Sequence, residues 1–285
     1  MNATLAGLAA WFQERFPPVV YTVLVGVFAS SGLAVAGWLG EGDGSWPWLA
    51  FPLVWLVFLR LRLFDEGKDF AEDVVLHPER VLSRGLVSLD LLTRLGWGVL
   101  LAEGLLAALI GRWTLVAWAG TALFTLGMRV EFGVGRFLRQ HLLLYALTHN
   151  PVVAGLTLIL AAAAGAGWSW DYLWYVAVAS LGSLGFELGR KLRRPEEEQE
   201  GLRTYSSVLG SGRARALLGL VYLGLAGAVI GLGGALGAAP LGSVGGAALA
   251  LAPGLATLGG GAKAVEGGSS GALLLSMVVS MVLGV

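Results

Sequence analysis

No cysteine occurs in the 285 residues, which excludes disulfides, thiolate metal sites and cysteine nucleophiles. Charge is scarce: 13% of the residues are Asp, Glu, Lys or Arg, against roughly 25% in a soluble domain. Nineteen bases balance nineteen acids, so net charge points to no polyanionic partner and to no nucleic acid. The N-terminus, MNATLAGLAAWFQERFPP, lacks a basic n-region and a cleavage pattern. It reads as a short interfacial helix over 1–18 with Leu5, Leu8 and Phe12 on one side. What fills the chain instead is apolar: 56% of it is hydrophobic and mean hydropathy is +0.75. The fold class is therefore an all-α integral membrane protein, a single domain over 1–285.

A spanning helix needs about 20 mostly apolar residues. Nine stretches qualify: 19–39, 46–66, 89–110, 113–130, 142–165, 171–188, 214–236, 241–258 and 270–285. With nine spans, the N-terminus and the loops after spans two, four, six and eight share one side. Eighteen of the nineteen Lys and Arg residues fall in those segments or at their helix ends, and only Arg112 lies opposite. The positive-inside bias makes that side cytoplasmic. The expected location is a prokaryotic plasma membrane. Trp46, Trp48, Trp168, Trp170, Tyr172, Trp174 and Tyr175 cluster at the other ends of the spans, as in an interfacial aromatic belt. Small-xxx-small spacing such as Gly227 to Gly231 points to close helix packing late in the chain.

The chain is organised around 61–88, which directly follows the apolar body of span two. Asp65, Glu66, Asp69, Glu72 and Asp73 fall within nine residues. On a continuing helix Arg62, Asp65, Asp69 and Asp73 share a face, and Glu66 lies about 100° round from Asp65. Carboxylates this close repel one another unless a cation sits between them. Hard oxygen ligands suit Mg²⁺, which keeps several waters and is typically shared with substrate phosphates. Pro78 discourages helix at His77, and Arg80, Arg84 and Gly85 follow in a short polar loop. Guanidinium forks beside metal-binding acids are what a diphosphate needs.

A second charged stretch, 187–210, echoes the first. Glu187 ends an apolar run, and Arg190, Lys191, Arg193 and Arg194 follow. Pro195 then breaks the helix ahead of Glu196, Glu197, Glu198 and Glu200. Taken alone, it reads as a juxtamembrane basic cluster facing anionic lipid, plus a solvated acidic loop.

The first stretch, DExxDxxxD followed by HPxRxLxRGxxS, resembles the first signature of the UbiA superfamily of intramembrane prenyltransferases, NDxxDxxxD…RPLxxGxIS. Asp65 stands at the Asn position, Glu66, Asp69 and Asp73 at the acids, and Arg80, Leu82, Gly85 and Ser88 in the loop, with Val81 in place of proline. Gly201, Thr204 and Gly210 resemble the GxxT…Gly tail of the family's second signature. The spaced aspartates before that tail are replaced by Glu187 and one or more of Glu197, Glu198 and Glu200, interrupted by Arg190 and Lys191. That departure leaves the number of metals open and suggests that Arg190 and Lys191 carry part of the diphosphate's charge.

The resemblance implies nine helices around a central cavity under a cytoplasmic polar cap. It also implies Mg²⁺ as cofactor, and an isoprenyl diphosphate and a lipophilic acceptor as partners within the lipid bilayer. Asp65, Glu66, Asp69, Asp73, Glu187, Glu197 and Glu198 are the expected metal ligands. Asp65, Glu66, Asp69, Asp73, Glu187 and Lys191 form the expected catalytic set. Arg80, Arg84, Arg190 and Lys191, with Arg139 and Tyr145 from the loop after span four, are the expected diphosphate ligands. Trp55 and Phe58 are either core packing or aromatic faces for an allylic cation. His149 and Asn150 read as a buried hydrogen-bonded pair. Glu103, the one acid near the middle of a span, is either functional or a protonated side chain bonded to a neighbouring helix.

The expected reaction is transfer of the prenyl group. On the same site the cation closing on itself would make a membrane terpene cyclase. A divalent-cation transporter is the reading from another class, and it requires polar groups through the bilayer midplane.

Overall fold

A computed structural model describes residues 3–40, 46–166, 169–198 and 203–284, and within them every regular element is helical. Thirteen α-helices follow in order: α1 (Ala3–Arg15), α2 (Pro18–Leu39), α3 (Ala50–Leu76), α4 (Leu89–Ile110), α5 (Arg112–Arg129), α6 (Gly135–Gln140), α7 (Leu142–His149), α8 (Pro151–Ala163), α9 (Tyr172–Arg190), α10 (Tyr205–Leu209), α11 (Ser211–Ala235), α12 (Pro240–Thr257) and α13 (Ala262–Val282). Proline at the first helical position, where its missing N–H costs nothing, starts α2, α8 and α12. Ser88 caps α4 by accepting from the Leu91 amide. His77 ends α3 in a non-helical conformation ahead of Pro78.

Seven segments among the described residues are long and apolar enough to cross a membrane: α2, the stretch Pro47–Leu76, α4, α7 with α8, α11, α12 and α13. Helices α5 and α9 pack among them but are less apolar, since Arg112 and Arg129 end the one and Glu187 and Arg190 close the other.

The packing divides into two groups. In the first, α3, α4, α5 and α8 are neighbours in chain order; in the second, α9, α11, α12 and α13 repeat that order, and α13 returns to α9. Helix α2 touches α3, α8, α9 and α13, and so joins the groups. The first helix of each group, α3 or α9, carries one of the two charged stretches at its C-terminal end. Two cavities, of about 610 and 630 Å³, open at the other end, lined by residues such as Gly246 and Leu283, and Leu39 and Trp113.

Several expectations are corrected by the packing. Tyr172 and Tyr175 are buried in the core and are not part of an aromatic belt. The Tyr175 hydroxyl lies 2.5 Å from Ser31 Oγ, and that of Tyr172 donates to the Thr157 carbonyl. Trp168 lies outside the described residues. Close packing late in the chain does occur at Gly231, which makes room for the Trp174 ring of α9 that a Cβ would approach to 2.5 Å. Helix α1 presents Trp11, not Leu5, to the protein: Trp11 and Phe16 are fully buried against Leu63, Val81, Leu82 and Leu92, while Leu5 is exposed. Gly7 admits this docking, since a Cβ there would fall 1.9 Å from the Leu86 carbonyl oxygen.

Arg60 is not a helix-end base. It lies ten residues into α3, about 15 Å along the axis, and is fully buried inside the bundle.

Candidate functional site

Because α3 continues to Leu76, all five acids stand on one helix. They do not share one face. Successive steps of four residues turn the face by about 40° each, whereas Glu66 and Asp73, seven apart, realign to within about 20°. Glu66 and Asp73 consequently point to α1 and the α3–α4 loop. Arg15 Nε lies 2.7 Å from Glu66 and its Nη2 3.4 Å from Asp73. Arg62 approaches Glu66 at 3.0 Å and Arg80 approaches Asp73 at 2.5 Å. Glu14, beside Arg15, accepts from the Val81 amide. Burial opposes the charge on Arg15, but Glu66 and Asp73 together hold its guanidinium more firmly protonated than usual. Arg84 is exposed at the rim of the same loop.

Asp65 lies about 100° round the helix from Glu66, and Asp69 falls between the two sides. Lys68 Nζ lies 3.3 Å from Asp65 and donates to the Tyr145 hydroxyl at 2.8 Å. Asp69 makes no ion pair among the described residues, although Asp65, Glu72 and Asp73 crowd it and Lys68 is the one opposing charge close by. Beyond Tyr145, Arg139 pairs with the buried Glu131 at 3.1 Å, and its carbonyl accepts from Arg203.

The second stretch stands at the same end of the bundle. Tyr21, in the first turn of α2, lies within electrostatic reach of both Asp65 on α3 and Arg190 on α9. Glu187 is gripped by Arg190 at 2.5 Å and Lys191 at 2.9 Å. The buried Tyr205 hydroxyl faces this pair without a hydrogen-bond partner, and burial first, then the Glu187 carboxylate, pushes the phenol up.

The structure places Glu197 and Glu198 elsewhere. Glu197 accepts from the Arg194 amide and, at 2.9 Å, from the Ala262 amide, so it caps the start of α13. Glu198 accepts from the Thr204 hydroxyl at 2.8 Å, and Thr204 in turn caps α10. Glu200 and Gly201 lie outside the described residues. The two amides hold the Glu197 carboxyl below its usual range. A depressed carboxyl pKa means that its stabilisation is complete above the ordinary carboxylate value and is lost as pH falls through the lowered one. Thermal unfolding in detergent, scanned from neutral to acid pH, is therefore expected to show a drop that Glu197→Gln makes smaller. Identical pH profiles for the two proteins would count against the cap.

Among the described residues no three Asp, Glu or His side chains converge on a point that would hold a metal ion. Mg²⁺ requires less, since it is usually bound by one or two carboxylates plus substrate phosphate oxygens. Asp69, which makes no ion pair among the described residues, fits that requirement best, and Asp65, one turn away, could join it only by sharing its charge with Lys68 at 3.3 Å. Glu66, Asp73 and Glu187 are already neutralised by Arg15, Arg62, Arg80, Arg190 and Lys191 and fit it poorly.

Residues that spacing did not single out are Arg15, Lys68, Glu131 and Tyr205. Arg60 belongs with them: its Nε donates to Glu103 at 2.7 Å and its Nη1 to Thr125 at 2.9 Å, while Trp118 donates to the other Glu103 oxygen at 3.0 Å. Glu103 is thus one half of a buried ion pair linking α3, α4 and α5. Trp55 and Phe58, about 15 and 10 Å along α3 before Asp65, pack against Phe16 and Tyr21. Comparison of the chain with protein-family models, with curated proteins and with solved structures gives no match.

Proposed function

We propose that the chain is an intramembrane prenyltransferase of UbiA-like architecture, acting on an isoprenyl diphosphate whose head group sits between the ends of α3 and α9. The observation that carries this reading is that the two charged stretches, about 120 residues apart in sequence, close α3 and α9 at the same end of an apolar bundle. Helices α5 and α9 complete nine spans in the proposed topology. Every Lys and Arg other than Arg112 and the buried Arg60 then lies on one side, the cytoplasmic one by the positive-inside bias.

In the proposed mechanism, Arg80, Arg84, Arg190 and Lys191 grip the diphosphate oxygens, with Tyr145 and Arg139 at the rim. Asp65 and Asp69 would hold Mg²⁺, whose charge would favour departure of the diphosphate. Arg15 keeps Glu66 and Asp73 neutralised, so that their charge does not repel the donor. The allylic C–O bond breaks with its electron pair going to the diphosphate, and a lipophilic acceptor captures the carbon. Trp55 and Phe58 offer aromatic faces deeper along α3, where the prenyl chain would lie.

Glu103 does not favour the transport reading, since its carboxylate is committed to Arg60 and Trp118. Purified protein in detergent is expected to release pyrophosphate from farnesyl or geranylgeranyl diphosphate, and a chelator of Mg²⁺ is expected to stop the release. A folded preparation that releases none from any allylic diphosphate would contradict the reading. Extracted products distinguish transfer from cyclisation.

A further inference from the structure

His149 ends α7 where Asn150 and Pro151 break the helix, about 12 Å in from its start. It is not paired with Asn150, whose side-chain amide donates to the Ser180 carbonyl. Instead its ring stacks on Tyr145, with centroids 4.0 Å apart and planes within 10°. Its Nδ1 lies 2.9 Å from the Tyr145 carbonyl oxygen. A carbonyl only accepts, so Nδ1 carries the proton. The neighbouring Thr148 hydroxyl, 3.2 Å from Nδ1, spends its own hydrogen on the backbone carbonyls of Leu144 and Tyr145. In the neutral ring Nε2 then holds a lone pair, and that atom is buried without a partner.

Two further features single this nitrogen out. The turn covering it is strained: Glu131 and Phe132 both adopt left-handed backbone (φ 49° and 53°), a conformation costly outside glycine and concentrated at functional sites. Phe132 stands edge-on to the His149 ring, with centroids 5.9 Å apart. The ring is also one stacked partner away from the donor site, because the Tyr145 hydroxyl accepts from Lys68, which pairs with Asp65. The charges facing it are Lys68 and Asp65 from α3 and Glu131 from the turn.

We propose that His149 is the catalytic base for the acceptor, with Nε2 taking the proton of a phenolic hydroxyl; this rests on the transfer reading above. The phenol enters by displacing Phe132. Its oxygen forms the new bond to the allylic carbon, the donor's C–O pair leaves with the diphosphate, and the hydroxyl proton goes to Nε2. No oxidant or further reactant is required. A base poised in this way raises the rate typically by about 10²–10⁴-fold.

The test uses the full-length protein in detergent with farnesyl diphosphate, Mg²⁺ and a series of 4-alkylphenols. His149→Asn keeps a donor for the Tyr145 carbonyl and removes Nε2. It is expected to lower kcat for prenyl transfer by about 10²–10⁴-fold and to abolish the acidic limb of the pH profile. Pyrophosphate release without phenol, where water takes the allylic carbon, does not use Nε2 and is expected to persist. Transfer at the wild-type rate, transfer and release falling together, or wild-type release with no phenol prenylated would each overturn the proposal. A second arm does not depend on turnover. With His77 and His141 replaced by Asn, the ¹⁵N spectrum of the remaining ring is expected to show protonated Nδ1 and bare Nε2, and the Nε2 signal is expected to shift on adding the phenol. A ring protonated on Nε2, or one blind to the phenol, would overturn it. If the wild type releases no pyrophosphate, the transfer reading fails, and the spectrum still decides whether His149 is a phenol-facing base.

Discussion

Glu103→Ala is expected to destabilise the protein by about 3–5 kcal/mol, because it strands an unpaired guanidinium in the bundle. Arg60 and Glu103 are both wholly inaccessible to solvent, and they meet inside the bundle 2.7 Å apart. There the charge on Arg60 has no water to turn to. One of its nitrogens, Nη2, already lacks a partner, so the Glu103 carboxylate and the Thr125 hydroxyl carry all of its hydrogen bonds. The loss is therefore one of desolvation left uncompensated rather than of attraction alone. Replacing both partners with methionine is expected to restore most of the stability, since a buried ion pair and an apolar pair of similar volume often come out nearly even. Reversible unfolding in mixed micelles measures both. A single variant within about 1 kcal/mol of wild type would mean that Arg60 finds another route to water or lipid phosphate.

Asp69→Asn is expected to cut pyrophosphate release by on the order of 10²–10³-fold while leaving unfolding unchanged. The carboxamide keeps the size and the helix but loses the charge that would face the metal. The effect is specific to this position because the protein's own cations already occupy its neighbours. Glu66→Gln changes a side chain that holds Arg15 and Arg62, so its effect should appear first as looser docking of α1 and lower stability. The reverse pattern, with Glu66 controlling release and Asp69 indifferent, would transfer the metal to the α1 side of the helix.

Much of the architecture was legible in order along the chain. The apolar runs, the stop at His77 before Pro78 and the acids carried outward on one continuous helix are local effects, and spacing reports them. What spacing does not report is which side of that helix meets which neighbour. Arg15 reaches Glu66 across 51 positions because Trp11 and Phe16 bury against the α3–α4 loop, and no periodicity within α1 distinguishes that docking from a helix lying on lipid. The pairing of Arg60 with Glu103 depends on how α3 and α4 cross. Glu197 stands in an acidic run, but its role is set by the start of α13, 65 residues later. Residues whose partners come from other helices are the ones that composition and spacing leave undetermined.

The claim underlying all of this is that α3 and α9 hold a single head group between them. Binding of an unreactive farnesyl thiodiphosphate, measured by calorimetry for wild type, Asp69→Asn, Lys191→Met and the double variant, tests it directly. Contacts to one shared ligand predict that the two losses in binding free energy fail to add by more than about 0.5 kcal/mol. Losses that sum within error, or a Lys191→Met variant that binds as tightly as wild type, would place the two charged ends at separate tasks.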